Sequence, residues 1–436
     1  MTQTDFNALL GPGAPDEAAP PAPLTGRELA ALLSPLTPEA FATDYFARQS
    51  LNVEGAETKF AHIFSWARLK QALARGETLQ DRRFNLMASF AGGEADGSRR
   101  PMFEVQIPQV TELLTAGATV CITNIHMADP ALARWAQALR TQLNFSGTVG
   151  VNCYVSPDGA GLPMHYDRRV ATTLQIAGRK SWTFSTEAAR PWPDANATYK
   201  DGQIVSTAAD PGTPPADMTF RTVELSPGDL LCLPAGAWHS ARGIGVSLAL
   251  NVYFAPRNLF DQLAPLLLEF ASASGQWRGG PPATVGAIDG QMPPPVAAYM
   301  RARLDEFYTQ ARAIIDNPQG MARPWLDALT DGPYTGWAPD PVQPLPRATA
   351  EDRFRVARAA PLRFIETGDT LTLPCDDGLL PFPATLAPIL RRMTAETGGF
   401  TLPDVIAWPE SATAPPPKDI ILHLQTLYRN GLLEMV

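Results

Sequence analysis

Three short stretches limit the fold of this 436-residue chain more than anything else in it: His165-Tyr166-Asp167, Lys180, and His239 at the end of the run from Ser226 through Pro227, Gly228 and Asp229 to Trp238. In an extended strand residues i and i+2 share a face, so His165 and Asp167 can reach one point while Tyr166 turns away. His239 comes from a distant segment. It can join the other two only where a rolled sheet brings two remote strands together around an interior.

The flanking residues read as such strands. Ala171 to Phe184 reads as strand, tight turn at Gly178, strand, and its second half puts Lys180 and Trp182 on a common face. Pro227-Gly228-Asp229 is a turn, Leu230 to Pro234 an apolar strand, and Gly245 to Phe254 another strand. The residue types then point to a chemistry. Two neutral imidazoles and one carboxylate occupy one face of an octahedral ion and leave about three positions open, which is the ligand set of a mononuclear non-haem Fe(II) site.

Taken together, these motifs resemble the Jumonji-C (JmjC) oxygenases, in particular their cupin-like ribosomal-protein-hydroxylase branch. The family pattern appears as Asn152 and Tyr154, His165 and Asp167, Leu174 and Gln175, Gly178-Arg179-Lys180 with Trp182, Pro227-Gly228-Asp229 and His239, and it covers about residues 119 to 256. The resemblance implies that His165, Asp167 and His239 hold Fe(II). It implies that Lys180 pairs with the distal carboxylate of 2-oxoglutarate, with Tyr154 and Asn152 lining the cosubstrate pocket. The role suits Lys180 physically, because a buried dicarboxylate requires a fixed cation. Ser247 and Asn251, four apart on one face of the following strand, are candidates for the same pocket. One position departs from the pattern: some relatives carry a hydroxyl residue three positions before the first histidine, where this chain has Leu162.

His62, His126 and His423 each sit among apolar residues without a second ligand near in sequence, and are read as structural. Cys121, Cys153, Cys232 and Cys375 show no paired metal-binding spacing, and reduced, buried thiols are expected.

With 45% hydrophobic residues the chain can bury a sizeable core, and no run approaches the ~18 apolar residues that span a bilayer. A cytoplasmic protein without membrane association is expected. The net charge of -9 argues against general nucleic-acid binding. The expected organisation is a flexible leader over 1–24, a helical flank over 25–118, a double-stranded β-helix (cupin-type barrel) over 119–258, a helical region over 259–345 and a winged-helix-like module over 346–436. Within it, Asp194 to Asp217 reads as an inserted, substrate-facing loop, and the helices expected over Leu259 to Ser274 and Val296 to Asp316 correspond to a dimerisation region in relatives. Two readings of these helices stand side by side: a homodimer interface, or packing against the barrel. From Pro361 onward, five basic residues (Arg363, Arg391, Arg392, Lys418 and Arg429) stand against nine acidic ones, so the module is expected not to hold nucleic acid.

The fold class is thus a mainly β core with α flanks. The implied reaction converts 2-oxoglutarate and O2 to succinate and CO2 while hydroxylating a C–H bond, with a protein or peptide side chain as leading substrate. Alternatives are N-methyl demethylation, a small-molecule or peptide natural-product substrate, and a non-catalytic metal-binding cupin; Lys180 disfavours the last.

Overall fold

The computed structural model describes residues 6–10, 24–90, 102–286, 290–330, 347–358, 362–375 and 378–436. They fall into two compact units, one running to Pro256 and the other beginning at Arg257.

The first unit is built on one antiparallel sheet of twelve strands: β1 Leu51–Val53, β2 Asn85–Phe90, β3 Phe103–Val105, β4 Ala118–Thr123, β5 Thr148–Ser156, β6 Gly161–Tyr166, β7 Val170–Ser185, β8 Ala197–Lys200, β9 Gln203–Ser206, β10 Phe220–Leu225, β11 Leu230–Leu233 and β12 His239–Ala255. Two long strands organise it. β12 pairs with β7 along most of its length, while its other edge takes β6 near His239 and β5 from Ser247 onward. The free edge of β7 is likewise shared, by β11 near Leu174 and by β10 from Lys180. Two short strands in succession along each edge of a long pair make the sheet double back on itself. The result is a double-stranded β-helix.

β7 corrects one expectation. Gly178 does not end a strand in a hairpin; β7 runs unbroken for 16 residues. The glycine has φ 65°, opposite a register shift between Ile244 and Leu248 of β12, so it makes a bulge. A side chain there would collide with the Val246 carbonyl, so the bend requires glycine. The Pro227-Gly228-Asp229 turn is tied down by Asp229, whose carboxylate accepts the Ser226 N–H at 2.8 Å and the Gly55 N–H at 2.9 Å.

Apolar residues on alternate strand positions cover both sides of the sheet. Leu69, Leu132 and Leu139 of the flanking helices pack with Val151, Leu250 and Phe254 into the main core, and Trp182, Phe184, Leu231 and Leu233 form a second cluster. The helix Trp66–Gly76 starts at Ser65, whose hydroxyl accepts the Arg68 N–H, and Pro130–Gln142 starts at Asp129. Within the expected leader, Phe6–Leu10 is helical and Phe6 is buried; residues 1–5 and 11–23 lie outside the described ones.

The second unit contains the helices Leu259–Ala273, Pro294–Asp316 and Pro318–Thr330, all within the region expected to be helical. The C-terminal part holds β13 Phe354–Val356 paired with β17 Leu433–Met435, and a three-stranded sheet: β14 Ile365–Thr367, β15 Thr370–Cys375 and β16 Gly378–Pro383. With them go the helices Ala387–Ala395, Leu402–Ala407 and Pro417–Arg429 around a core of Leu371, Leu373, Leu386, Ile389, Phe400 and Leu427. Leu402–Ala407 opens on a capping box between Thr401 and Asp404. Among the described residues, no helix is long and apolar enough to cross a membrane.

Candidate metal centre

The β6–β12 ladder puts His165 and His239 directly opposite each other. Their rings approach to 4.2 Å between centroids, and Asp167 follows on the same face of the chain as His165. One donor atom from each of the three lies within 4.8 Å of the others. Both imidazoles are oriented by backbone: His165 Nδ1 lies 2.8 Å from the Pro163 carbonyl and His239 Nδ1 2.9 Å from the Ala237 carbonyl. A donating Nδ1–H in each ring leaves Nε2 as the free lone pair, which fixes the tautomer a metal requires. Burial, reinforced by the neighbouring His165 and opposed by Asp167, pushes His239 down to about 4, so its ring is neutral near pH 7. Two imidazoles presenting Nε2, and one carboxylate, fit a divalent first-row metal.

The same cavity is lined by Tyr154, Lys180 and Asn251, together with Thr119, Ser156, Leu162, Thr173 and Trp182. Lys180 is only 4% exposed, yet it has no hydrogen bond or ion pair with any described residue; its ammonium lies 5.7 Å from the centre of the Tyr154 ring. Burial pushes it down to about 8. A buried ammonium without a counter-charge is costly, and a carboxylate entering the cavity would remove that cost.

Two expected pocket residues stand elsewhere. Asn152 is not among the lining residues, because its side-chain oxygen accepts the Asn124 N–H at 3.0 Å. Ser247 is also off the lining, its hydroxyl donating to the Ser156 carbonyl. Both share a strand face with true lining residues, so spacing alone could not separate them. Thr119, Ser156, Thr173 and Trp182 were not assigned to the pocket from sequence. The period-2 row through Asn152 and Tyr154 does pass through Ser156.

The Asp194 to Asp217 insertion forms a hairpin. Its strands β8 and β9 pair with each other, and β8 continues the sheet beyond β6, with Thr198 opposite His165. Trp238, next to His239, is fully buried against Tyr166 and donates its indole N–H to the Thr213 carbonyl of this insertion at 2.8 Å. The remaining histidines hold structural positions: His126 is buried and accepts the Val151 N–H, His423 meets the Phe382 ring at an edge, and His62 is exposed. All four cysteines are free and buried.

Residues 126–261, which contain all three candidate ligands, match the JmjC domain family. The matched segment covers β5 to β12 of the first unit, whose double-stranded β-helix is a fold shared with solved structures. Among curated relatives it is 23% identical to YxbC of Bacillus subtilis over 264 residues, covering 58% of this chain and 79% of that one. It is 27% identical to ribosomal oxygenase 1 of Gallus gallus over 253 residues, covering 55% of this chain but only 39% of the relative. The fold is shared with YcfD, a ribosomal oxygenase from Escherichia coli solved with cobalt and 2-oxoglutarate, at a TM-score of 0.53 and 14% identity over 92% of this chain and 98% of YcfD.

Proposed function

We propose that the protein is an Fe(II)- and 2-oxoglutarate-dependent oxygenase that hydroxylates a protein or peptide side chain. The observation that carries the reading is Lys180: a buried, unpaired ammonium in the cavity that also holds His165, Asp167 and His239. A barrel that only stored a metal would have no use for that charge.

Bound at the triad, Fe(II) supplies the O2 chemistry that converts 2-oxoglutarate to succinate and CO2 and oxidises a C–H bond. His165 and His239 present Nε2 to the metal because the Pro163 and Ala237 carbonyls hold their other nitrogens. Asp167 brings the negative charge. Lys180 receives the distal carboxylate, and Tyr154 walls the cosubstrate beside it. The β8–β9 hairpin borders the His165 strand and is the natural element to meet a polypeptide substrate.

The second unit supports two further parts of the proposal. No residue of Leu259–Ala273 or Pro294–Asp316 is buried, and Phe260, Leu268, Leu304 and Tyr308 are each at least 60% exposed. Apolar helix faces of that kind fit a homodimer interface. The C-terminal module, with nine acids against five bases from Pro361 on, serves assembly or substrate docking rather than nucleic-acid binding. Four free, buried thiols suit the reducing cytoplasm.

Succinate release that requires both Fe(II) and 2-oxoglutarate tests the oxygenase. Mass spectrometry of cellular proteins with and without the enzyme, searching for the gain of one oxygen atom, tests the substrate class. Oxygen gain confined to metabolites would overturn the polypeptide reading.

A further inference from the structure

The cavity asks more of its walls than Lys180 can give. A carboxylate has about four lone-pair sites, and in a buried setting each one left without a donor is costly. Leu162 lines the cavity and can donate nothing. Two other residues can. Thr119 on β4 and Ser156 on β5 are 2% and 0% exposed, and both line the cavity with Lys180.

Their hydroxyls are already ordered with respect to one another. Thr119 Oγ1 donates to Ser156 Oγ at 3.1 Å. The Ser156 hydroxyl hydrogen, by contrast, has no acceptor among the described residues. Ser247 donates to the Ser156 carbonyl and steadies that end of β5. Ser156 also shares its strand face with Tyr154, whose ring lies beside the Lys180 ammonium. One buried hydroxyl proton without an acceptor, one buried ammonium without an anion, and the Tyr154 ring line a common cavity.

We propose that Thr119 and Ser156 complete the anchor for the distal carboxylate of the cosubstrate, Ser156 donating to it and Thr119 orienting Ser156. The pair takes the place of the hydroxyl that Leu162 lacks. This rests on the cosubstrate reading of Lys180 given above. Lys180 supplies charge that any anion satisfies. A positioned hydroxyl adds direction, and so favours a dicarboxylate whose far end reaches that spot.

The test uses the full chain loaded with Mn(II) in place of Fe(II), titrated calorimetrically with 2-oxoglutarate and with 2-oxopentanoate, which has the same keto-acid end and no distal carboxylate. Ser156→Ala should raise the Kd for 2-oxoglutarate about tenfold and Thr119→Val about three- to fivefold, with Thr119→Ser close to native. None of these should alter the Kd for 2-oxopentanoate or for Mn(II). Native affinity for 2-oxoglutarate in Ser156→Ala, or equal losses for both keto acids, would overturn the inference. Should Ser156→Ala fail to fold, the Thr119→Val and Thr119→Ser pair decides it: loss of 2-oxoglutarate affinity in Val without recovery in Ser overturns it as well. Native protein that binds Mn(II) but no 2-oxoglutarate would instead overturn the proposed function, and this inference with it.

Discussion

His165 and His239 are register partners on adjacent antiparallel strands, their rings 4.2 Å apart and each turned by the carbonyl two residues before it. Neither orientation depends on the metal. Replacing either histidine, or Asp167, with Ala should therefore abolish stoichiometric metal uptake while the fold persists. Metal content after gel filtration and the far-ultraviolet circular dichroism spectrum check this together. Native metal content in His239→Ala would show that the third ligand is misassigned.

Lys180 should cost stability in the ligand-free protein. Burial holds it at about 8, against about 10.4 for an ordinary lysine. Between those values the unfolded chain binds the extra proton, so the stability of the ligand-free protein rises with pH across that window. Below it the whole cost is present. Lys180→Met should accordingly stabilise the ligand-free protein by about 2–3 kcal/mol at pH 7, the gain shrinking toward pH 10, and should weaken 2-oxoglutarate binding about 30- to 150-fold. Denaturant unfolding at several pH values reads the first effect. A destabilised Lys180→Met protein would mean that the ammonium has a partner in the native state.

These four residues were legible in the sequence because their types are rare in strands and their spacings match one chemistry. Thr119 and Thr173 were not, because a threonine on a strand carries no mark of which cavity it faces until the sheet register is known. Gly178 misled for a related reason. A positive-φ glycine between two apolar runs suits a hairpin turn and a bulge equally, and the pairing partner decides. Here β12 runs past it on both sides of the shift. The second unit was readable in its helices, whose apolar periodicity is local, and less so in β16, where Pro381 and Pro383 obscure the strand pattern.

Asp129 joins two parts of the first unit. Its carboxylate pairs with the Arg68 guanidinium, with Nε at 3.0 Å and Nη2 at 2.5 Å, and also accepts the Ala131 and Leu132 N–H groups at the start of Pro130–Gln142. Both partners are buried. Asp129→Ala should cost about 3–5 kcal/mol, because it leaves the arginine charge buried alone. Asp129→Asn keeps the cap and should recover about 1 kcal/mol of that. A loss under about 1 kcal/mol for Asp129→Ala in denaturant unfolding would show that Arg68 finds another partner.

The C-terminal module should not draw the chain onto DNA or RNA. Arg391 is paired with Glu366 and Arg355 with Glu434, which removes two cations from any phosphate-binding face. Anisotropy titrations of the full chain with duplex DNA and with RNA should show only weak binding at low salt. Tight binding that falls steeply as salt rises would assign the module to nucleic acid.

The central claim, that one cavity binds Fe(II) through the triad and 2-oxoglutarate through Lys180, is tested most directly by visible spectroscopy under anaerobic conditions. Adding Fe(II) and 2-oxoglutarate to the native protein should produce a broad charge-transfer band. His239→Ala should show none at any cosubstrate concentration. Lys180→Ala should recover the band only at much higher 2-oxoglutarate. A native protein that gives no band under these conditions, or a Lys180→Ala protein with native 2-oxoglutarate dependence, would contradict it.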